Sequence, residues 1–329
     1  MAEMSYLEAG ALALREAMRA DPRVWALGED LGRGGVFGQY KGLQAEFGPE
    51  RIVDTPISEA AIMAVATGAA MLGTRPVVEM RFADFALCAI DELVNQAAKA
   101  RYMFGGQTRV PLVVREPTGR WRSSAAQHSQ SLEAWYVHVP GLVVLAPATP
   151  ADNRALLRAA IACDDPVVHF EHKNLWPLVG EVPDEPEPAP IGKARRVREG
   201  ADLTLVTWSA TVHEAVRAAE LLAREGIGTD LFDLRSLWPW DREAVLASAA
   251  RTGRLLVAHE AVQVGGFGAE IAATVAEELG VPVARIGAPR LPVPYSPPLE
   301  AELEVDAERI ARAARRLLDR PVRRRAVSA

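Results

Sequence analysis

Short apolar, β-branched runs alternate along the chain with longer segments whose apolar residues recur at helical spacing. The runs Pro76–Met80, Val110–Arg115, Leu142–Ala146 and Pro166–Glu171 have the length of buried strands. Between them, Ser58–Leu72, Ile90–Tyr102 and Pro150–Ala162 have the length and composition of helices, and Met1–Pro22 reads as a first helix. Strand followed by helix, repeated, predicts an α/β fold with a parallel sheet covered on both faces. Glu181–Pro190, EVPDEPEPAP, breaks this rhythm. It is acidic and proline-rich, lacks periodicity and is poor in backbone donors, which predicts a linker spanning residues 181–192 between a domain of residues 1–180 and one of 193–329. The alternation then resumes, with predicted strands Leu203–Trp208, Thr229–Leu234, Arg254–His259 and Val281–Ile286 and predicted helices Val212–Glu225, Arg242–Thr252 and Gly268–Leu279, a smaller second α/β domain.

A chain of 329 residues exceeds the usual single-domain length, in agreement with that division. Hydrophobic residues at 49% and charged residues at 24% are ordinary for a compact globular protein. The net charge of -6 provides no basic field for a phosphate backbone, which argues against nucleic acid as a partner, and the basic cluster Arg323–Arg325 reads as a solvated tail, with docking of an acidic partner as the alternative. No apolar run reaches the roughly 18 to 20 residues that span a bilayer, so no membrane association is expected. Cys88 and Cys163 stand far apart without metal-ligand or disulfide spacing, which fits a reducing, cytoplasmic location.

Three segments could carry chemistry. In Asp54–Ala60, DTPISEA, Glu59 opens an apolar helix. It is either a first-turn carboxylate favoured by the helix dipole or a buried acid whose proton affinity suits exchange with a nitrogen heterocycle. In Ala125–Leu132, AAQHSQSL, His128 comes after the predicted strand Val110–Arg115 and the turn-like Pro117, Thr118 and Gly119, near the carboxyl end of a parallel strand where ligands of open α/β sheets sit. A hydrogen-bonded structural histidine is the alternative there. Met80–Phe85, MRFADF, places aromatics just after a strand, as core or as a stacking platform. The glycines of Val264–Gly268, VGGFG, fit a turn and tight helix packing better than phosphate binding. They lack the G-x-G-x-x-G spacing, which also removes a nicotinamide-dependent dehydrogenase from consideration.

Taken in order, GED at Gly28, DTPISE ending at Glu59, FADF ending at Phe85, RYMFGG at Arg101–Gly106, AAQHSQ around His128, HEAVQVGGFGAEI from His259 and the later PVPYSPPLE run over nearly the whole chain. This series resembles the beta subunits of the thiamine-dependent, decarboxylating component of 2-oxo acid dehydrogenase complexes. The resemblance implies a transketolase-like pyrimidine-binding domain followed by a smaller transketolase-like C-terminal domain. It implies that Glu59 hydrogen-bonds the aminopyrimidine ring of thiamine diphosphate and promotes the tautomer that deprotonates the thiazolium carbon. Phe85 would stack near that ring, with Ile57 and Arg81 in the same pocket, although relatives often carry glutamine where this chain has Arg81. His128 would protonate a lipoyl sulfur during reductive acylation. The chain lacks a G-D-G followed by asparagine, the pattern that holds magnesium and the diphosphate, so an alpha subunit would bring Mg2+. The implied assembly is an alpha2beta2 heterotetramer serving a lipoyl acyltransferase core. Some relatives hold potassium, and the matching positions are Leu112, Ala160, Ile161, Cys163 and Asp165, with Cys163 replacing a common acid. Pyruvate, a branched-chain 2-oxo acid and acetoin remain open as substrates, and a non-catalytic scaffold subunit is the alternative of a different class.

Overall fold

The computed structural model describes residues 1–185 and 189–321. The basic cluster Arg323–Arg325 lies outside them, as does the centre of the proline-rich segment. The chain divides into two compact units. Unit 1 comprises Met1–Trp121, Gln127–Ile191 and Leu237–Pro239, and unit 2 comprises Arg122–Ala126, Gly192–Ser236 and the chain from Trp240 onward.

In unit 1 the N-terminal strand β1 (Ala2–Ser5) leads into the helix Tyr6–Ala20. The helix starts where it does because Ser5 and Glu8 cap it reciprocally, each side chain bonding the other's backbone N–H, an arrangement in which the serine cap alone contributes about 1 kcal/mol. Strands β2 (Val24–Gly28), β3 (Ile52–Asp54), β4 (Arg75–Glu79), β5 (Val113–Thr118), β6 (Val143–Leu145) and β7 (Val167–His172) come next, then β8 (Val179–Val182). β1 and β8 form an antiparallel pair. The others join β12 (Ser236–Trp238) in a seven-stranded sheet of order β12-β6-β7-β5-β4-β2-β3. Every pair from β6 to β3 is parallel, as the near-continuous apolar runs predict. The core of unit 1 lies between this sheet and the helices Tyr6–Ala20 and Pro150–Ala162, with Leu14, Met18, Ile52, Val77, Leu157 and Val167 all buried.

The order contains a reversal. From β2 the chain passes to β3 on one side and then to β4 on the other, so the carboxyl ends of β2 and β4 flank a switch point, the place where open α/β sheets bind ligands. Gly28 ends β2 against β4 so closely that a Cβ there would stand 2.7 Å from the Glu79 carbonyl oxygen. Only glycine allows that approach.

Unit 2 is smaller. Its sheet has the order β14-β13-β10-β11-β9, built from β9 (Arg195–Arg198), β10 (Leu203–Thr207), β11 (Thr229–Asp233), β13 (Leu255–Val262) and β14 (Val283–Ala288). Helices Thr211–Arg224 and Ala307–Leu318 cover one apolar layer around Leu205, Leu231, Leu256, Ile310 and Leu317. His259 on β13 is fully buried. Its ring stacks on Trp208 with centroids 5.1 Å apart and its Nδ1 faces the Ala261 carbonyl at 3.1 Å. A Cβ on Gly266 or Gly268 would stand 2.7 Å or 2.8 Å from that ring, so the glycines of Val264–Gly268 serve close packing.

Several expectations need correction. The N-terminus is a strand before it is a helix, and the first residues of the supposed linker, Glu181 and Val182, belong to β8. Pairing with β1 supplies backbone partners that composition does not reveal. The strand expected from Val110 begins only at Val113, because Pro111 cannot donate to a ladder and the Leu112 N–H turns back to the Val110 carbonyl. Ile90–Tyr102 is not one α-helix. A wide π-type stretch, Glu92–Ala97, precedes the α-helical Ala98–Met103.

Burial pushes the His259 proton affinity down to about 4. A histidine held neutral in the folded state contributes stability that is present above its unfolded value near 6.5 and is lost as pH falls towards 4. Urea unfolding monitored by Trp fluorescence should therefore lose stability between pH 6.5 and 4 more steeply in the native chain than in His259→Gln, by up to about 1.4 kcal/mol per pH unit. Parallel slopes would show that His259 charges freely in the folded protein.

Candidate active site at the carboxyl ends of the unit 1 strands

Buried charge on three apolar strands of unit 1 ties them together. Arg115 of β5 is 1% exposed. Its Nε and Nη2 donate to the two carboxylate oxygens of Glu171 on β7 at 2.7 and 2.9 Å, and its Nη1 stands 3.4 Å from Glu79 on β4. Glu79 in turn accepts from the Tyr40 hydroxyl at 2.9 Å and from Gln39 Nε2 at 3.0 Å. Beside them the fully buried His169 faces the side-chain Oδ1 of Asn153 with its Nε2 at 2.8 Å, and burial lowers its proton affinity to about 4. Burial raises that of Glu79 to about 7, against the pull of Arg115 and with the repulsion of Glu171.

Residues that follow β2, β4 and β7 carry the candidate site. After β2 come Glu29 and Asp30, and after β4 comes Arg81, which pairs with both: its Nε stands 3.0 Å from Glu29 and its Nη2 donates to Asp30. The Glu29 carboxyl sits above the usual range, first because it is buried and further because the Glu59 charge is near, while Arg81 pulls it back down. Glu59 is the first residue of the helix Glu59–Met71, half-buried, behind a Ser58 whose side chain makes no cap bond. That helix packs against the short turn Phe85–Ala89. Ile57 is 77% exposed beside it.

Phe82, Phe85 and His128 meet edge to face, with centroids 5.1 Å from Phe82 to His128, 5.2 Å from Phe85 to His128 and 5.5 Å between the two phenylalanines. The fully buried Lys173, first residue after β7, holds its ammonium 4.6 Å from the Phe82 ring centroid and donates to the His128 carbonyl oxygen. Gln130 ties the end of the loop down: its side-chain amide donates to Asp84 at 2.8 Å, and its carbonyl accepts from the Thr118 hydroxyl at 3.0 Å. Glu59, Arg81, Phe85 and His128 therefore gather at one end of the sheet.

The residues matched to potassium gather at the other end. The Leu112 carbonyl accepts from Val167 N–H at 2.8 Å and the Ala160 carbonyl from Cys163 N–H at 3.1 Å. Arg75 Nη1 donates to the Ile161 and Cys163 carbonyls at 2.9 Å each, and the Asp165 carboxylate pairs with Arg101 at 2.6 Å. Among the described residues no group of three or more His, Cys, Asp or Glu side chains could hold a metal ion. A cavity of about 320 Å³ near the start of β2 and β4 is lined by Glu16, Asp21, Arg23, Arg75 and Arg158, whose charges are paired with one another or with Asp164.

Sequence reasoning left Phe82 open between core and stacking platform and assigned no role to Glu29, Lys173 or the Glu79–Arg115–Glu171 set. The signal for the last was present: each charged residue lies in an apolar strand segment, VVE, VVR or VVHFE, and a charge in a strand buried on both faces needs a partner.

These residues suit the aminopyrimidine end of thiamine diphosphate: a carboxylate at an open helix start for a ring nitrogen, a second carboxylate that raises the demand for a proton, and aromatic faces beside them. They do not suit its diphosphate, since the nearby cation, Arg81, is already paired with Glu29 and Asp30.

Comparison with known proteins agrees. The family model for the transketolase pyrimidine-binding domain matches residues 2–178, and that for the transketolase C-terminal domain matches residues 192–310. The chain is 43% identical to the 2-oxoisovalerate dehydrogenase subunit beta of Bacillus subtilis, covering 97% of this chain and 100% of that one. It is 44% identical to a mitochondrial pyruvate dehydrogenase E1 component subunit beta-2 of Oryza sativa subsp. japonica, over 97% of this chain and 88% of that one. It is 43% identical to the acetoin:2,6-dichlorophenolindophenol oxidoreductase subunit beta of Cupriavidus necator, over 93% and 95%. A solved structure described as a split-gene transketolase, inactive beta4 tetramer, superposes with a TM-score of 0.81 at 26% identity, covering 96% of this chain and 98% of that one.

Replacing Arg115 by methionine leaves Glu79 and Glu171 buried without their cation. Arg115→Met should cost about 3–5 kcal/mol of stability, read as a fall in the urea midpoint. A change below about 1 kcal/mol would mean that the three strand ends do not depend on the guanidinium.

Proposed function

The chain belongs to the family of transketolase-like beta subunits of 2-oxo acid dehydrogenases, and from that premise we propose that it contributes the pyrimidine half of a thiamine diphosphate site completed by an alpha subunit. The observation that carries this reading is the place of Glu59, at a helix start that packs against the turn of Phe85 and near enough to Glu29 at the switch point for its charge to act there. Thiamine diphosphate, held with Mg2+ by the alpha subunit, supplies the decarboxylating chemistry when bound.

This chain's residues do the rest. Glu59 would present its carboxyl to the pyrimidine nitrogen and share a proton with it. Phe85 would pack against the pyrimidine ring, with the exposed Ile57 in the same pocket. Arg81, paired with Glu29 and Asp30, fixes that wall of the pocket. His128 donates a proton to a lipoyl sulfur as the acyl group leaves for lipoamide. The substrate is pyruvate or a branched-chain 2-oxo acid. Acetoin is the second reading, favoured by the equal similarity to an acetoin oxidoreductase subunit. The assembly is an alpha2beta2 heterotetramer on a lipoyl acyltransferase core, in the cytoplasm, which suits the two free thiols. Among the described residues no helix is long and apolar enough to cross a membrane. Potassium at Leu112, Ala160, Ile161, Cys163 and Asp165 is a lesser part of the proposal, supported by the donor chemistry of neutral carbonyl oxygens, although Arg75 already serves two of them.

With an alpha subunit, thiamine diphosphate and Mg2+, dye reduction should depend on a 2-oxo acid, and comparison of pyruvate, 2-oxoisovalerate and acetoin ranks the substrates. Glu59→Gln should lower turnover by about 10²- to 10⁴-fold, and near-native turnover would remove Glu59 from the mechanism. His128→Ala should lose lipoyl acylation while keeping dye reduction, and equal loss of both would remove its assigned role. If potassium binds, KCl should raise the melting temperature of the assembly above that in NaCl at equal ionic strength, and equal melting would refute it.

A further inference from the structure

The His128 loop is held from below by a charge that the reaction itself does not use. At His128 the holding contact is Lys173. Its side chain is fully buried, its ammonium donates to the carbonyl oxygen of His128 itself, and it lies over the ring of Phe82, whose edge-to-face partner is the His128 imidazole. Lys173 therefore grips the main chain of His128 directly and its ring through Phe82.

A buried ammonium is expensive. Removing it from water is unfavourable, and a packed apolar side chain of the same length would carry no such penalty. Placement adds to this. Lys173 is the first residue after β7, one position beyond His172 and two beyond Glu171, which Arg115 clamps through two hydrogen bonds. The ammonium is thus launched from a fixed strand end, and its reach to His128 transmits that rigidity to the loop. We propose that Lys173 is a positioning residue that sets the main chain and ring of His128 for proton transfer, so that its loss slows the step that uses His128 and spares the step that uses Glu59. This rests on the reading of His128 as the proton donor in acyl transfer.

The test uses the assembled enzyme with its alpha subunit and cofactors and reads two reactions separately: 2-oxo acid-dependent dye reduction, and acyl transfer to a lipoyl acceptor. In Lys173→Met, kcat for acyl transfer should fall by about tenfold or more, the scale expected when a proton donor is displaced by a fraction of an ångström to about 1 Å. The KM for the acceptor and the rate of dye reduction should stay within about twofold, since neither contact is touched. Adding Lys173→Met to His128→Ala should slow transfer no further, because residues that act as a unit are not additive. Lys173→Gln, which keeps an N–H donor, should recover part of the loss, and it carries the same comparison if the methionine variant does not assemble. Native transfer in both lysine variants, equal slowing of both reactions, or losses that add to those of His128→Ala would each overturn the positioning role. If His128→Ala alone leaves transfer intact, the reading of His128 fails and the proposal falls with it; impaired His128→Ala beside unimpaired lysine variants defeats the positioning role alone.

Discussion

A single buried guanidinium ties three parallel strands of unit 1 together. Arg115, in the middle of β5, takes both oxygens of Glu171 near the end of β7 and lies within reach of Glu79 at the end of β4, so charge joins the three strands in addition to the backbone ladder. The arrangement is costly in isolation, since all three groups leave water, and it is stable only while all three remain. The segments that leave these strand ends depend on it. Beyond Glu79 the chain supplies Arg81, Phe82 and Phe85, beyond Arg115 it runs to the loop of His128, and beyond Glu171 it supplies Lys173. A site built on strand ends fixed in this way has little freedom to relax, which is what proton transfer over short distances requires.

The chemistry divides across that platform. On the β2 side, Glu29 and Glu59 lie close enough to feel each other's charge near the paired Arg81, an acidic pocket suited to a proton shared with a nitrogen ring. On the β7 side, His128 sits among aromatic edges with a buried ammonium below it. Two carboxylates and one histidine thus occupy separate environments, as two successive proton-transfer steps would demand. Arg81 is already engaged by Glu29 and Asp30.

Much of this was legible in the residues. The period of the apolar runs predicts the parallel sheet, and the helices Pro150–Ala162, Arg242–Thr252 and Gly268–Leu279 have the expected bounds because cap residues and glycines mark their ends locally. Glu59, Arg81, Phe85 and His128 are visible as chemistry-bearing residues near turns, but their convergence is not, since it depends on which strands are neighbours. The pairing of β1 with β8 was hidden by the composition of EVPDEPEPAP, which resembles a linker even where it joins a ladder. Lys173 was the hardest to read. Lysine after a strand is ordinarily solvated, and only the fold shows that its ammonium ends beneath a carbonyl and a ring.

The chain holds half of a thiamine diphosphate site on the reading proposed above, and the binding of the cofactor tests that most directly. Thiamine diphosphate with Mg2+ would be titrated calorimetrically into the chain alone and into the chain assembled with an alpha subunit. No measurable binding to the chain alone and saturable binding to the assembly are predicted. Tight binding to the chain by itself would contradict the reading, because the diphosphate and its metal would then have ligands within this polypeptide.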